Sequence, residues 1–334
     1  MAVTSKRPVN AKQFKSKIQK FGDITDHGPI KWFLGFKIRR NRKARTISIN
    51  QHAYVESMVK KFWLTNAKKV PIPIDPHTQY STKQCPSTLA QEAWMKGIPY
   101  CKAISSILWP TVISHPDTVY AVGILPQFMQ NPGPAHWEVV KWVISYLGHT
   151  KDLWLTFGRK GGLQLEGYCD ADWASQLHHC SMSGFSFHYG QGAISWSLKK
   201  QAIITLSSTE AKYVAETHAS KEGIWLKTFV KEITSYNIDS FTIKADNQGA
   251  IALAKDNKFH AWMKHIDLRY YFVHEVVEDG KIKMEYRPTS EKCFQHPHKG
   301  LTKAQIYRVC WNVGFGDNEG VMKQQECCLI LDKQ

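Results

Sequence analysis

A chain of 334 residues, 43% hydrophobic and 12% aromatic, has room for two domains that each bury a core, and its composition excludes a disordered protein. Its 44 Lys and Arg against 28 Asp and Glu leave a net charge of +16. That balance favours a polyanionic partner, nucleic acid first, over a basic surface that is merely solvated. No apolar run approaches the roughly 20 residues needed to cross a bilayer.

The first twenty residues are basic and weakly apolar and read as a tail over 1–19. Lys31 to Ile38 and Arg45 to Ile49 read as two strands joined by the charged turn Arg39 to Lys43, which predicts a hairpin. Tyr54, Val55, Met58, Val59 and Phe62 recur at helical spacing over 51–62. Pro71 to Pro76 ends that unit as an extended linker. Helices are predicted from Tyr100 to about Ile113, from Asp117 to Met129 and from Ala135 to Leu147, with His115-Pro116 and the run Asn131 to Pro134 as breaks. A strand follows at 153–157, and the glycine-rich segment 158–162 is the expected domain boundary.

Beyond it the pattern changes to α/β. Strands are expected at 163–170, 184–189, 193–197 and 202–206. A helix follows from about 208 to 220, continuing with breaks to about 234. A strand at 241–245, a helix at 247–255, a helix at 263–278 and a strand at 281–286 complete the order. Strands, a helix, a strand, helices and a strand predict a mixed sheet covered by helices. The eight cysteines (Cys85, Cys101, Cys169, Cys180, Cys293, Cys310, Cys327 and Cys328) show no C-x-x-C pair. His178, His179 and Cys180, and His296 with His298, lack partners at zinc-ligand spacing. Free thiols and a polar, basic N-terminus without a secretory signal predict an intracellular protein, in cytoplasm or nucleus.

The most informative stretch runs from Tyr168 to Ala174. It places Asp170 and Asp172 at the C-terminal end of a strand, two apart and on one face. Paired carboxylates of that kind are a first grip on a divalent metal.

At these residues a resemblance becomes specific. The chain resembles the C-terminal end of a copia-type retrotransposon polyprotein. The matching pieces keep the family's order: Trp32 to Gly35, Pro116-Asp117, His136-Trp137, Asp170 to Ala174, Ile194 to Trp196, Leu206 to Ala211, Asp246 to Gln248, Lys264 to Ile266, Tyr286-x-Pro288 and Leu301 to Lys303. The resemblance implies a distal reverse-transcriptase region over 20–158, mostly helical α+β with the hairpin, then a ribonuclease H-like α/β domain over 163–304, and a tail over 305–334. The family's Tyr-x-Asp-Asp polymerase turn does not occur here, so the polymerase centre is not expected in this chain.

Ribonuclease H chemistry implies hydrolysis of RNA in RNA–DNA hybrids by two Mg²⁺ (or Mn²⁺) ions about 4 Å apart, held by four carboxylates. Asp170 fits the first place. Asp246, ending a strand, fits the third, and is also a candidate helix N-cap. The second place reads Glu-Ala-Glu-Tyr in the family and Glu210-Ala211-Lys212-Tyr213 here. Residues two apart on a helix point about 200° apart, so only one of Glu210 and Lys212 faces the metals. Ser207-x-x-Glu210 forms a capping box, and residue 212 shares a face with Ala215 and Ala219. The place is therefore assigned to Lys212, with Glu210 the lesser candidate. Lys299 stands where the fourth Asp belongs, after a segment, 292–298, that is longer than the family's.

A unit charge 4 Å from another is worth about 4 kcal/mol at an effective dielectric near 20. Two cations in four ligand positions thus predict a weak metal site. Two readings follow: a ribonuclease H of retroelement origin, or a non-catalytic relic that keeps the fold and some nucleic-acid binding. Lys199, Lys200 and His265 are the candidate contacts to nucleic acid. The tryptophans at 137, 142, 196, 225 and 262 either stack on bases or fill cores.

Overall fold

The computed structural model describes residues 8–75, 78, 80–158, 164–173, 180–234, 236–255, 267–288 and 315–316. The chain begins with helix α1 (Pro8–Ile18) and strands β1 (Trp32–Phe33), β2 (Phe36–Asn41) and β3 (Thr46–Asn50). The expected first strand is split. Leu34 and Gly35 take left-handed φ values of 48° and 83°, turning β1 back on β2.

Helices α2 (His52–Lys61), α3 (Leu89–Lys96), α4 (Tyr100–Ile113), α5 (Val119–Ile124) and α6 (Pro134–Thr150) follow, before β4 (Trp154–Gly158). Short 3-10 turns flank α5, so the helix expected over 117–129 is three pieces. Helix α3 was not expected. The signal for it is local: the Thr88 hydroxyl accepts from the Gln91 N–H as an N-cap. Within the expected linker, Ile74 packs into the helical core with Val55, Ile104, Val140 and Leu147.

The second half contains β5 (Leu165–Asp172), β6 (Met182–Tyr189), β7 (Gly192–Lys200), α7 (Ser208–Thr234), β8 (Phe241–Ala245), α8 (Gln248–Lys255), α9 (Asp267–Glu278) and β9 (Ile282–Tyr286). Its sheet runs β7-β6-β5-β8-β9. Strands β5, β6 and β7 are antiparallel, whereas β8 joins β5 in parallel and β9 joins β8 in parallel. This is the mixed, ribonuclease H-like sheet that the resemblance implies.

Helices α7, α8 and α9 share one core with the sheet, built on Leu165, Phe187, Phe241, Ile243, Ile251, Val273 and Met284. Helix α7 is continuous over 27 residues, without the expected breaks. It lies close on the sheet at Gly223, where any Cβ would overlap the Phe241 ring. The strand expected at 202–206 is absent. After the edge strand β7 the chain leaves the sheet, and Gln201 anchors the connector by donating to Ser183 Oγ (2.7 Å) and Ala211 O (2.9 Å).

The first sheet runs β1-β2-β3-β4-β10, where β10 (Phe315–Gly316) comes from the segment expected to be a tail. The two halves meet along β4 and β7. Gly158 N–H donates to Gly190 O (2.7 Å), and Trp196 Nε1 on β7 donates to Thr111 O on α4 (2.8 Å). Leu155, Val119, Trp196 and Leu198 close an apolar seam there. The C-terminal end of β5 lies at the opposite end of the sheet from the β6–β7 turn. No helix among the described residues is long and apolar enough to cross a membrane.

Candidate functional site

The site is built from one strand end, the next strand's end and one helix start. Asp170 lies near the end of β5 and is 4% exposed, with its Oδ1 accepting from the Ala171 N–H at 2.9 Å. Asp246 follows β8. It does not cap α8: Asn247 does, its Oδ1 accepting from the Ala250 N–H at 2.8 Å. That leaves the Asp246 side chain directed at the β5 end.

Helix α7 starts next to both. Ser207 Oγ accepts from the Glu210 N–H (3.1 Å), and Glu210 Oε2 accepts from the Leu206 N–H (2.6 Å). Glu210 is thereby held in the cap and is 4% exposed. Two residues on, Lys212 faces the two aspartates. Its Nζ donates to Asp246 Oδ1 at 2.6 Å and lies 3.6 Å from Asp170 Oδ1. Ala211 and Ala215 pack on Ala171, small residues that let the helix approach the strand.

Burial works to lower the Lys212 pKa, but the hydrogen bond to Asp246 and the charges of Asp170 and Asp246 outweigh it. The net shift is upward, so Lys212 is an ammonium at neutral pH. Its side chain is 22% exposed, against 4% and 6% for those of Asp170 and Asp246.

Asp172, two residues past Asp170, does not join this cluster through Lys212. It lies near Tyr120 of α5, whose hydroxyl pKa burial pushes to about 12 with a further push from the Asp172 charge. Sequence reasoning also passed over Glu216, a fully buried carboxylate one helical turn beyond Lys212. Its i, i+4 spacing from Lys212 was the available signal. Lys199 and Lys200 end β7, paired with Ser183 and Met182, two strands from β5 at the Asp170 end of the sheet. Lys199 is exposed. His265 and Lys299 lie outside the described residues, as do Trp262 and the segment 292–298.

A pair of divalent ions needs a convergence of carboxylates. Among the described residues no group of three or more His, Cys, Asp and Glu is placed to hold a metal ion. Two carboxylates with an ammonium between them do not fit Mg²⁺ or Mn²⁺.

Comparison with known proteins decides the family. Residues 1–76 match the family model for Reverse transcriptase (RNA-dependent DNA polymerase). That match includes the first nineteen residues. Over 292 residues, 87% of this chain, the sequence is 38% identical to the retrovirus-related Pol polyprotein from transposon TNT 1-94 of Nicotiana tabacum. The chain belongs to the copia-type Pol polyprotein family.

This Pol segment spans only 22% of the length of that relative. It is also 43% identical over 133 residues to the secreted RxLR effector protein 161 of Plasmopara viticola, covering 40% of this chain and 94% of that protein. Among solved structures, the N-terminal RNase H domain of rv2228c from Mycobacterium tuberculosis is 11% identical, covering 44% of this chain and 97% of that one, with a TM-score of 0.30. The second sheet carries the ribonuclease H-like fold in its strand order β7-β6-β5-β8-β9, antiparallel over β5 to β7 and parallel from β5 to β9.

Proposed function

We propose that this Pol segment is a nucleic-acid-binding piece of a copia-type polyprotein whose ribonuclease H-like domain, ancestrally a metal-dependent hydrolase of RNA in RNA–DNA hybrids, no longer cuts. The observation that carries the reading is the Lys212 ammonium, within 3.6 Å of Asp170 and hydrogen-bonded to Asp246, where a third carboxylate would have to stand. Asp170 and Asp246 are the remaining ancestral ligands for Mg²⁺ or Mn²⁺, Lys212 takes the second place and Lys299 the fourth. Glu210 is committed to the helix cap.

The net charge of +16 supports a polyanionic partner, with an RNA–DNA hybrid first and Lys199, Lys200 and His265 as candidate contacts. The division we propose is a reverse-transcriptase-like region over 20–158 and a ribonuclease H-like domain over 163–304, flanked by 1–19 and 305–334. The protein is intracellular, in cytoplasm or nucleus, on this reading.

The test is an incubation of the whole chain with an end-labelled RNA–DNA hybrid in Mg²⁺ and in Mn²⁺, with binding followed against salt. Binding that weakens steeply with salt, without cleavage, is expected. Robust wild-type cleavage that Asp170→Asn abolishes would overturn the loss of hydrolysis. Binding with no salt response, or no binding, would overturn the nucleic-acid role.

A further inference from the structure

Strands β5 and β8 run parallel, pairing Glu166 with Thr242 and Tyr168 with Lys244. Asp170 lies two residues beyond that register on β5 and Asp246 just past the end of β8, and one ammonium reaches both carboxylates. Adjacent strands lie about 4.8 Å apart, and like charges opposite each other are destabilising. Here both carboxylates are nearly buried, so the repulsion is poorly screened. A cation between two such groups relieves that repulsion.

In this chain that cation is covalently attached. Lys212 reaches in from the start of α7, and its ammonium touches both aspartates. We infer that Lys212 is a resident cation that has taken over the structural part of the metals' work, tying β5, β8 and α7 together so that the fold is stable without divalent ions, and that the site remains one substitution from needing them. The inference rests on reading this as a ribonuclease H-like site, but it concerns stability and requires no nucleic acid.

The arrangement explains why the site can lose its metals and keep its shape. A free divalent ion stabilises the folded state only as far as its concentration exceeds its Kd. A tethered ammonium is present at any metal concentration. Replacing it with a carboxylate reverses the situation: three acidic groups would converge, each raising the need for an external cation.

The experiment is thermal melting of the whole chain in EDTA and across a Mn²⁺ titration, for wild type, Lys212→Glu and Lys212→Met. Wild type should melt at the same temperature throughout. Lys212→Glu should melt lower in EDTA and recover saturably, by about 2 °C once Mn²⁺ is tenfold above its Kd. Lys212→Met should also melt lower in EDTA and recover less than Lys212→Glu, because it loses the cation without gaining a ligand. If Lys212→Glu does not fold in EDTA, its folding on adding Mn²⁺ is the same expected result.

A saturable rise of the wild-type melting temperature with Mn²⁺ would overturn the inference, since it would mean that the lysine yields its place to metal. So would Lys212→Glu showing no response, or Lys212→Met melting like wild type. None of these results depends on whether hybrid is bound or cut, so failure here is separable from failure of the proposed function.

Discussion

Strand β5 carries two ion pairs on one face, four residues and about 13 Å apart, and they are unlike each other. At Asp170 a lysine from a helix enters between two buried carboxylates. At Glu166 a lysine from the neighbouring strand, Lys244, lies 2.8 Å from a carboxylate that is 35% exposed. Lys244 also sits 5.3 Å from the centre of the Tyr168 ring. His188, the cross-strand partner of Glu166 on β6, is buried. Water can take over the charge of Glu166 when its partner is removed. It has little access to Asp170 and Asp246. The difference teaches that the number of ion pairs on a face says little until one asks what each carboxylate would meet once its partner is gone.

The same substitution at the two lysines breaks or sharpens this contrast. Lys212→Met leaves two facing carboxylates buried without a cation and should lower the unfolding free energy by about 3–5 kcal/mol. Lys244→Met leaves Glu166 to solvent and should lower it by less than about 1 kcal/mol. Urea unfolding of both variants beside wild type measures the two values. Equal losses would show that exposure does not separate the pairs.

The histidine beside the second pair gives a smaller, pH-dependent effect. Burial pushes the His188 pKa down to about 4, a tendency that Glu166 opposes and Lys244 reinforces. Its imidazole is a neutral member of the core, with Nε2 3.2 Å from Ser186 Oγ and the ring edge-on to Tyr168 at 5.3 Å. The unfolded chain takes up this proton near pH 6.5, and the folded one only near pH 4. The associated stability is therefore complete above about pH 6.5 and is lost as pH falls through the window down to 4, by up to about 3 kcal/mol. Urea midpoints between pH 4 and 7 for wild type and His188→Gln should differ in slope across that window. Parallel curves would remove His188 from the account.

Much of the fold was legible because the signals were local. Alternation marked β5 and helical periodicity marked α2, and the order of strands and helices gave the mixed sheet. The errors fall where a local pattern met a long-range competitor. Residues 202–206 look like a strand, but the chain leaves the sheet after Lys200, and Gln201 and Thr205 hold the connector by side-chain hydrogen bonds instead. The Pro71 to Pro76 run looks like an extended linker, and its Ile74 also finds the helical core. Helix α3 was missed although Thr88 and Gln91 spell its start. At the site, helix geometry alone set Glu210 and Lys212 on different faces. It could not give the parallel pairing of β5 with β8, which brings Asp246 beside Asp170, because that contact joins segments far apart in the chain.

The helix start offers the smallest effect and separates the two glutamate roles at that turn. Ser207 Oγ caps the Glu210 N–H, and the Glu210 carboxylate returns to the Leu206 N–H, one residue before the position that a capping box usually reaches. Ser207→Ala removes one of these bonds and should cost about 1 kcal/mol. It should leave the Mn²⁺ response of Lys212→Glu intact, because the cap and the ion pair face opposite ways on α7. Melting the double variant beside Lys212→Glu measures this. If Ser207→Ala also abolished the metal response, the cap would be setting the reach of residue 212, and the first turn of α7 would be part of the site rather than only its support.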